Sequence, residues 1–167
     1  MGMAMLGKVS LIVLGALLAF AVTAEAFTGK VVGVTDGDTI TVLVAPKTQR
    51  TIRLAGIDAP EKRQAFGQRS KESLSELVFK REVTVEATKK DRYGRDIGKV
   101  LVDGLDANLE QVRRGLAWHY KAYQREQAAE DRATYAAAED EARKLRLGLW
   151  QDAQPVPPWD HRHSRGE

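Results

Sequence analysis

The sequence predicts an α+β fold, a five-stranded OB-type β-barrel with three packed α-helices. Three observations carry this: five short hydrophobic runs of strand character, a helical run after the third, and two more helical runs after the fifth. The 167 residues give room for one domain of ordinary size, and neither an internal repeat nor a linker divides them.

The strands follow from period-two hydrophobicity. Between Gly29 and Val44, Val32 and Val34 and then Ile40, Val42 and Val44 alternate, with Asp36-Gly37 breaking the run as a hairpin turn. Arg50 to Ile57 is the third strand, ended by Ala59-Pro60. In Glu82 to Thr88, Val83, Val85 and Ala87 point one way while Glu82, Thr84 and Glu86 point the other. Ile97 to Val102 is the fifth strand, closed by Asp103-Gly104.

The helices follow from face and cap. Phe66 to Lys80 places Leu74, Leu77 and Val78 on one side. Asp106 is the expected N-cap of a short helix carrying Leu109 and Val112, with Gly115 as its stop. The segment from Arg125 to Leu147 is rich in strong helix formers and ends at Gly148. Along it Glu139 with Arg143, and Asp140 with Lys144, are i,i+4 pairs on an expected solvated face.

The ends are set apart from the barrel domain, which is expected over residues 27–150. Lys8 precedes an uncharged run from Val9 to Ala24, and Ala24-Glu25-Ala26 gives a small-x-small cleavage pattern, so residues 1–26 are read as a signal peptide. The run is shorter than the roughly 20 residues that span a bilayer. The expected product is an exported monomer, periplasmic or extracellular, with no stable membrane association. Residues 151–167 hold Pro155, Pro157 and Pro158 and then His161-Arg162-His163, and are read as a polar tail packed at most through Trp150 and Trp159. His119 is expected to be a packed or surface histidine.

Composition narrows the chemistry. The chain has 26 Lys and Arg against 23 Asp and Glu, a formal charge of +3 that suits an anionic partner without specifying one. It has no cysteine, which excludes a thiol nucleophile and a Cys-based zinc site.

Three segments concentrate groups that hold a cation and a phosphodiester. Asp36 and Asp38 lie two apart in a turn, and Asp58 ends a strand before Pro60. Each has an ordinary turn or strand-end reading, but a third strand would deliver Asp58 beside the hairpin. Two carboxylates with a backbone carbonyl and water suit a hard, oxygen-seeking cation, with weak binding in the roughly 10⁻⁴ to 10⁻³ M range of extracellular Ca²⁺ modules. Arg53 and Arg95 offer planar, always-charged guanidinium forks that match phosphate oxygens, against plain readings as a strand and a turn arginine. Glu61 is placed to orient or deprotonate a water. Strict alternation sends Arg53 and Asp58 to opposite faces, so the strand must bend between them, with Gly56 the expected place. Lys89, Lys90 and Arg92 form a basic cluster that fits either phosphate steering or a polar loop.

Asp36-Gly37-Asp38-Thr39, Arg53-Leu54-Ala55-Gly56-Ile57-Asp58-Ala59-Pro60-Glu61, Asp91-Arg92-Tyr93-Gly94-Arg95 and Gly115-Leu116-Ala117-Trp118 occur in that order. From about Thr28 to Trp150 the chain resembles the staphylococcal-nuclease (thermonuclease) family. The resemblance implies Ca²⁺ on Asp38, Asp58 and the Ala59 carbonyl, with Asp36 beside it. It implies Arg53, Glu61 and Arg95 as catalytic residues, a terminal phosphate at Arg92 and Tyr93, and Tyr123 bordering the nucleotide. The implied reaction is hydrolysis of DNA and RNA with little sequence preference, cutting P–O5′ to leave 3′-phosphates. Ala59 replaces a Thr of the staphylococcal enzyme, and the loop after Glu61 is shorter. Two rivals are a barrel that binds nucleic acid without cutting, and an envelope scaffold. The retained Arg53, Glu61 and Arg95 favour the enzyme.

Overall fold

The computed structural model describes residues 25–166, so most of the expected signal segment lies outside the described residues. In chain order the elements are β1 (Glu25–Val34), β2 (Thr39–Ala45), β3 (Thr48–Leu54), β4 (Ile57–Asp58), α1 (Gly67–Val78), β5 (Glu82–Lys90), β6 (Asp96–Val102), β7 (Leu105–Asp106), α2 (Ala107–Arg113), β8 (Trp118–His119), α3 (Ala129–Lys144) and α4 (Pro158–Arg165). Short 3₁₀ turns cover Lys121–Glu126 and Gly148–Gln151. No helix of the described residues is long and apolar enough to cross a membrane.

Antiparallel neighbours run β3-β2-β1-β5-β6, and a parallel pairing of β3 with β6 closes them into a five-stranded barrel. The α+β barrel expected from the alternation is therefore the fold. Val42, Ile52, Val85 and Val100 are fully buried inside it. Leu74 and Val78 of α1 and Val112 of α2 pack against the same core, with Tyr135 of α3. Burial of these side chains is worth roughly 1.5–3 kcal/mol each before the entropy cost.

Local differences have identifiable causes. The register of β1 against β2 slips between Val31 and Gly33, a bulge that turns Val31 into the core and leaves Val32 exposed. Alternation in step with Val34 would instead put Val32 on the apolar face of the strand. The third strand stops at Leu54, and Ile57–Asp58 is a separate strand paired with β8. The long helix begins at Ala129 because the preceding turn is 3₁₀. Its charged residues do not all face solvent: Glu139 is buried and accepts from the His119 N–H at 3.1 Å and Lys121 Nζ at 2.6 Å. Glu139 also pairs with Arg143 at 3.5 Å, whereas Lys144 pairs with Glu141 instead of Asp140. Asp106 caps α2 as expected, accepting from Leu109 N at 3.0 Å. His119 is packed, with Nε2 2.8 Å from Gln127 Oε1.

The two ends also differ from a bare domain with a tail. Glu25 and Ala26, the last residues of the expected signal segment, pair in β1 with Ala87 and Glu86, and Glu25 meets Arg50 at 3.0 Å. Cleavage before Phe27 would remove those contacts. The Pro-rich end carries a fourth helix: Pro157 and Pro158 begin α4 with Pro at its first position, where a missing N–H costs nothing. Trp159 on α4 stacks on Tyr120 at 5.4 Å and meets Trp118 edge-on at 5.5 Å.

Two polar clusters hold the barrel seam. Asn108 is fully buried; its Nδ2 donates to Ala55 O at 3.0 Å and Gly98 O at 3.1 Å, while its Oδ1 accepts from Val100 N at 3.1 Å. Arg50 forks onto Asp96 at 2.8 and 2.9 Å. Asn108→Ala leaves a buried N–H and a carbonyl without partners, and is expected to cost about 2–3 kcal/mol. Urea unfolding checks this as a lower midpoint at unchanged slope; an unshifted midpoint would make the stitch dispensable.

Candidate active site

Every residue singled out from the sequence lines one cleft of about 930 Å³ on the barrel wall. Asp36, Asp38, Arg53, Asp58, Ala59 and Glu61 lie on one side, with Arg92, Tyr93, Arg95 and Tyr123 around the rest. The arrangement follows from how each segment is delivered.

Asp38 sits in the tight turn leading into β2, and Thr39 is in register with Arg53 of β3, so the two functional groups start side by side. The Asp36 carboxylate accepts from Asp38 N at 3.1 Å, which shapes the turn. Asp38 Oδ2 accepts from the Ala59 N–H at 2.7 Å and pairs with Arg53 Nη1 at 3.0 Å. Its Oδ1 accepts from the Thr39 hydroxyl at 3.1 Å.

The bend required between Arg53 and Asp58 occurs at Gly56. Its φ of +74° is a left-handed conformation, and a Cβ there would run into the Gln127 side chain. Beyond the bend, β4 pairs with β8, Asp58 opposite Trp118, and the chain turns Asp58 back toward the strand it came from. Arg53 Nη2 then reaches Asp58 Oδ1 at 2.8 Å, while Nη1 donates to Ile57 O at 3.0 Å. One guanidinium thus bridges two buried carboxylates.

Burial, reinforced by the charges of Asp36 and Asp58, pushes the Asp38 carboxyl up to about 7. The opposing pull of Arg53 and the Ala59 N–H does not offset the loss of water.

Glu61 is held by its backbone. Its N–H donates to Gln64 Oε1 at 3.0 Å, and its carbonyl accepts from Gln64 N at 2.8 Å. Gly67 at the start of α1 packs so closely that a Cβ would strike the Glu61 carbonyl oxygen. The side chain projects into the cleft.

The Arg95 loop is a hairpin tip built by Asp91. Asp91 Oδ1 accepts from the N–H groups of Tyr93 and Arg95 at 2.9 and 3.0 Å, and Oδ2 from Arg95 Nε at 2.7 Å. Burial of Asp91 opposes its ionisation, but these hydrogen bonds win and hold its carboxyl below the usual range. Asp91 takes only Nε, so the paired Nη donors of Arg95 have no hydrogen-bond partner among the described residues. Arg92 lies over the Tyr93 ring at 4.8 Å, and Lys89 over Tyr123 at 5.6 Å. Both tyrosines are exposed.

The donor set fits a hard divalent cation. Asp38 and Asp58 each present a carboxylate to the same Arg53 guanidinium, through Nη1 and Nη2, and so lie on one side of the cleft. Among the described residues no three His, Cys, Asp or Glu side chains converge, so the side-chain donors of such a site are two carboxylates, which suits a weakly held, partly hydrated cation. Ala59 shows only its N–H in contact with Asp38.

Arg162 was missed as a site residue. It extends from α4 to Asp58 Oδ2 at 2.8 Å, Asp58 Oδ1 at 3.2 Å and Glu61 Oε1 at 2.7 Å. The signal available in the sequence was Pro157-Pro158 ahead of Trp159, a helix start.

Residues 51–152 match the model of a family described as staphylococcal nuclease homologue. The chain is 44% identical over 138 residues to an uncharacterized endonuclease of Escherichia coli O157:H7, covering 82% of this chain and 86% of that protein. It is 42% identical over 147 residues to a micrococcal nuclease of Shigella flexneri, covering 83% and 82%. A staphylococcal-like nuclease CAN1 of Arabidopsis thaliana is 37% identical over 114 residues, 68% of this chain and 33% of that one. With the barrel, the cleft and the motif order, these matches place the chain in the staphylococcal nuclease family.

Proposed function

We propose that this nuclease is a Ca²⁺-dependent, exported enzyme that hydrolyses DNA and RNA to 3′-phosphate products. The observation carrying the reading is the meeting of two buried carboxylates, two arginines and Glu61 in one cleft. Asp38, Asp58 and the Ala59 carbonyl would hold the cation. When bound, it would supply positive charge at a phosphate oxygen and favour the ionised form of Asp38.

The chain's own residues would do the rest. Arg53 enters from β3 and Arg95 from the loop between β5 and β6, so their forks reach different oxygens of one phosphate and offset the charge that grows there during in-line attack. Glu61 takes a proton from the attacking water as the O5′ bond breaks, and the leaving oxygen takes up a proton. Tyr93, Tyr123 and Arg92 border the flanking nucleotides. DNA and RNA both fit because these groups address phosphate and ring faces, which all nucleotides share. The export reading rests on the uncharged run in residues 9–24 and the small-x-small motif after it.

Release of acid-soluble nucleotides from heat-denatured DNA, with Ca²⁺ or with EGTA, tests the assignment. Glu61→Gln and Arg95→Ala are each expected to lower kcat by roughly 10²–10⁴-fold with little change in Tm. Undiminished turnover in both variants would remove the catalytic roles.

Asp38 gives a separate test. Below pH of about 7 it is protonated, so Ca²⁺ binding must displace a proton, and apparent affinity should rise toward pH 7 and level off above it. In EGTA the sign for stability is opposite. A carboxyl raised from 3.8 to about 7 on folding stabilises the fold fully below its unfolded value, and that contribution is lost as pH rises through 7. The difference in Tm between wild type and Asp38→Asn, followed from pH 4 to 8 in EGTA, should show this slope. A flat difference would mean Asp38 is already ionised.

A further inference from the structure

The proposed metal site already receives a cation from the chain itself. Asp58 is buried, with a side chain only 1% exposed, and both its oxygens are taken: Oδ1 by Arg53 at 2.8 Å and Arg162 at 3.2 Å, Oδ2 by Arg162 at 2.8 Å. The Arg162 Nη1 that reaches Asp58 Oδ1 also donates to Glu61 Oε1 at 2.7 Å. A guanidinium is a permanent donor with no acceptor, so it serves these carboxylates as a counter-ion and cannot join a divalent cation as a ligand. Among the described residues Arg162 is the one group on Asp58 Oδ2, so a divalent cation drawing on that oxygen must contend with it directly.

The position of Arg162 is set by α4. Trp159 lies three residues earlier, on the same helical face, and stacks on Tyr120 at an interplanar angle of 16°. The chain entering the helix is tied down by Gln64 Nε2, which donates to Val156 O at 2.6 Å. That same Gln64 accepts from the Glu61 N–H through its Oε1. One helix therefore touches the cleft through an aromatic stack, a backbone tie and an ion pair.

We propose that α4 is a latch across the cleft, in which Arg162 competes with the divalent cation for Asp58 and Glu61. The latch rests on the assignment of the cation to Asp38 and Asp58 above. Binding of the cation displaces the guanidinium, frees Glu61 for its water, and loosens Trp159 from Tyr120. Cation binding and cleft opening are then one equilibrium, and the internal competitor lowers the apparent cation affinity of the intact chain.

Calorimetric titration of Ca²⁺ into the full chain, with tryptophan emission recorded in parallel, tests the latch. Removing the competitor in Arg162→Ala should tighten Ca²⁺ binding roughly 10-fold. Arg162→Gln, which keeps a polar amide but is shorter and uncharged, should tighten it in the same direction and covers the case in which the alanine variant folds poorly. In wild type, Ca²⁺ should change tryptophan emission, and Trp159→Phe should abolish most of that change. Equal or weaker Ca²⁺ affinity in both Arg162 variants, while wild type binds Ca²⁺, would overturn the latch alone. Ca²⁺ binding by none of the three proteins would remove the cation assignment and the latch together. Emission that does not respond to bound Ca²⁺ would also overturn it, since α4 would then have stayed in place.

Discussion

The parallel seam between β3 and β6 is the constraint on which the cleft depends. Arg53 and Arg95 are far apart in the sequence and lie on different hairpins. They face one space only because Arg53 is registered against Ile97, two residues from Arg95. A parallel pair is the weaker kind of ladder, and here it is short. The protein reinforces it from three sides. Ala55 N donates to Gly98 O at 2.8 Å, Asn108 of α2 donates to that carbonyl and to Ala55 O, and Arg50 clamps Asp96 with a fork that Lys90 supports at 2.8 Å. The Arg50 hydrogen bonds outweigh the burial of Asp96 and keep its carboxyl below the usual range. Ala55 and Lys90 belong to both clamp and cleft, while Arg50, Asp96 and Asn108 lie outside the cleft, so closure and chemistry are separable at those three residues.

Charge in the cleft is arranged at a cost to stability. Asp38 and Asp58 are both buried, and Arg53 is divided between them. A structure selected for stability alone would give each carboxylate its own partner, or none at all. The raised carboxyl of Asp38 and the borrowed charge of Arg162 at Asp58 are two responses to the burial of both carboxylates in one cleft. Sites that must exchange a charged ligand carry such imbalance, because full internal compensation would leave nothing for the ligand to supply.

Most of the barrel was legible in the sequence because each strand keeps one face in the core. Val83, Val85 and Ala87 are buried as their alternation requires, and Leu74, Leu77 and Val78 form the buried face of α1. The Asp106 cap was legible because it is a local bond. What alternation does not carry is register. The bulge at Val32 reverses which valine points inward, and nothing in the order of residues marks it. Glu139 was unreadable for another reason: its partners, the His119 N–H and Lys121, come from a distant turn, and a glutamate on a helix looks solvated until they arrive. The cleft divides the same way. Asp36 to Arg95 could be gathered from compact motifs and a resemblance. Arg162 meets Asp58 across 104 positions, from a Pro-rich segment whose composition suggests a tail. The need for a bend between Arg53 and Asp58 was deducible, and Gly56 supplies it.

Gly56 and Gly67 bear on how the cleft tolerates sequence change. Neither carries a functional group, yet one turns the chain that delivers Asp58 and the other sits against the carbonyl of Glu61. A charged residue of the cleft can be exchanged for an uncharged one of similar shape and leave a folded, inactive chain. A methyl group at either glycine has no such outlet: at Gly67 it meets the Glu61 main chain, and at Gly56 it sits on a φ of +74° that L side chains rarely adopt, so the backbone delivering the carboxylates is strained. In a saturation library screened for folding and activity in parallel, arginine and carboxylate positions should separate the two scores. The two glycines should lose both together, marking the places where architecture and chemistry are drawn from the same atoms.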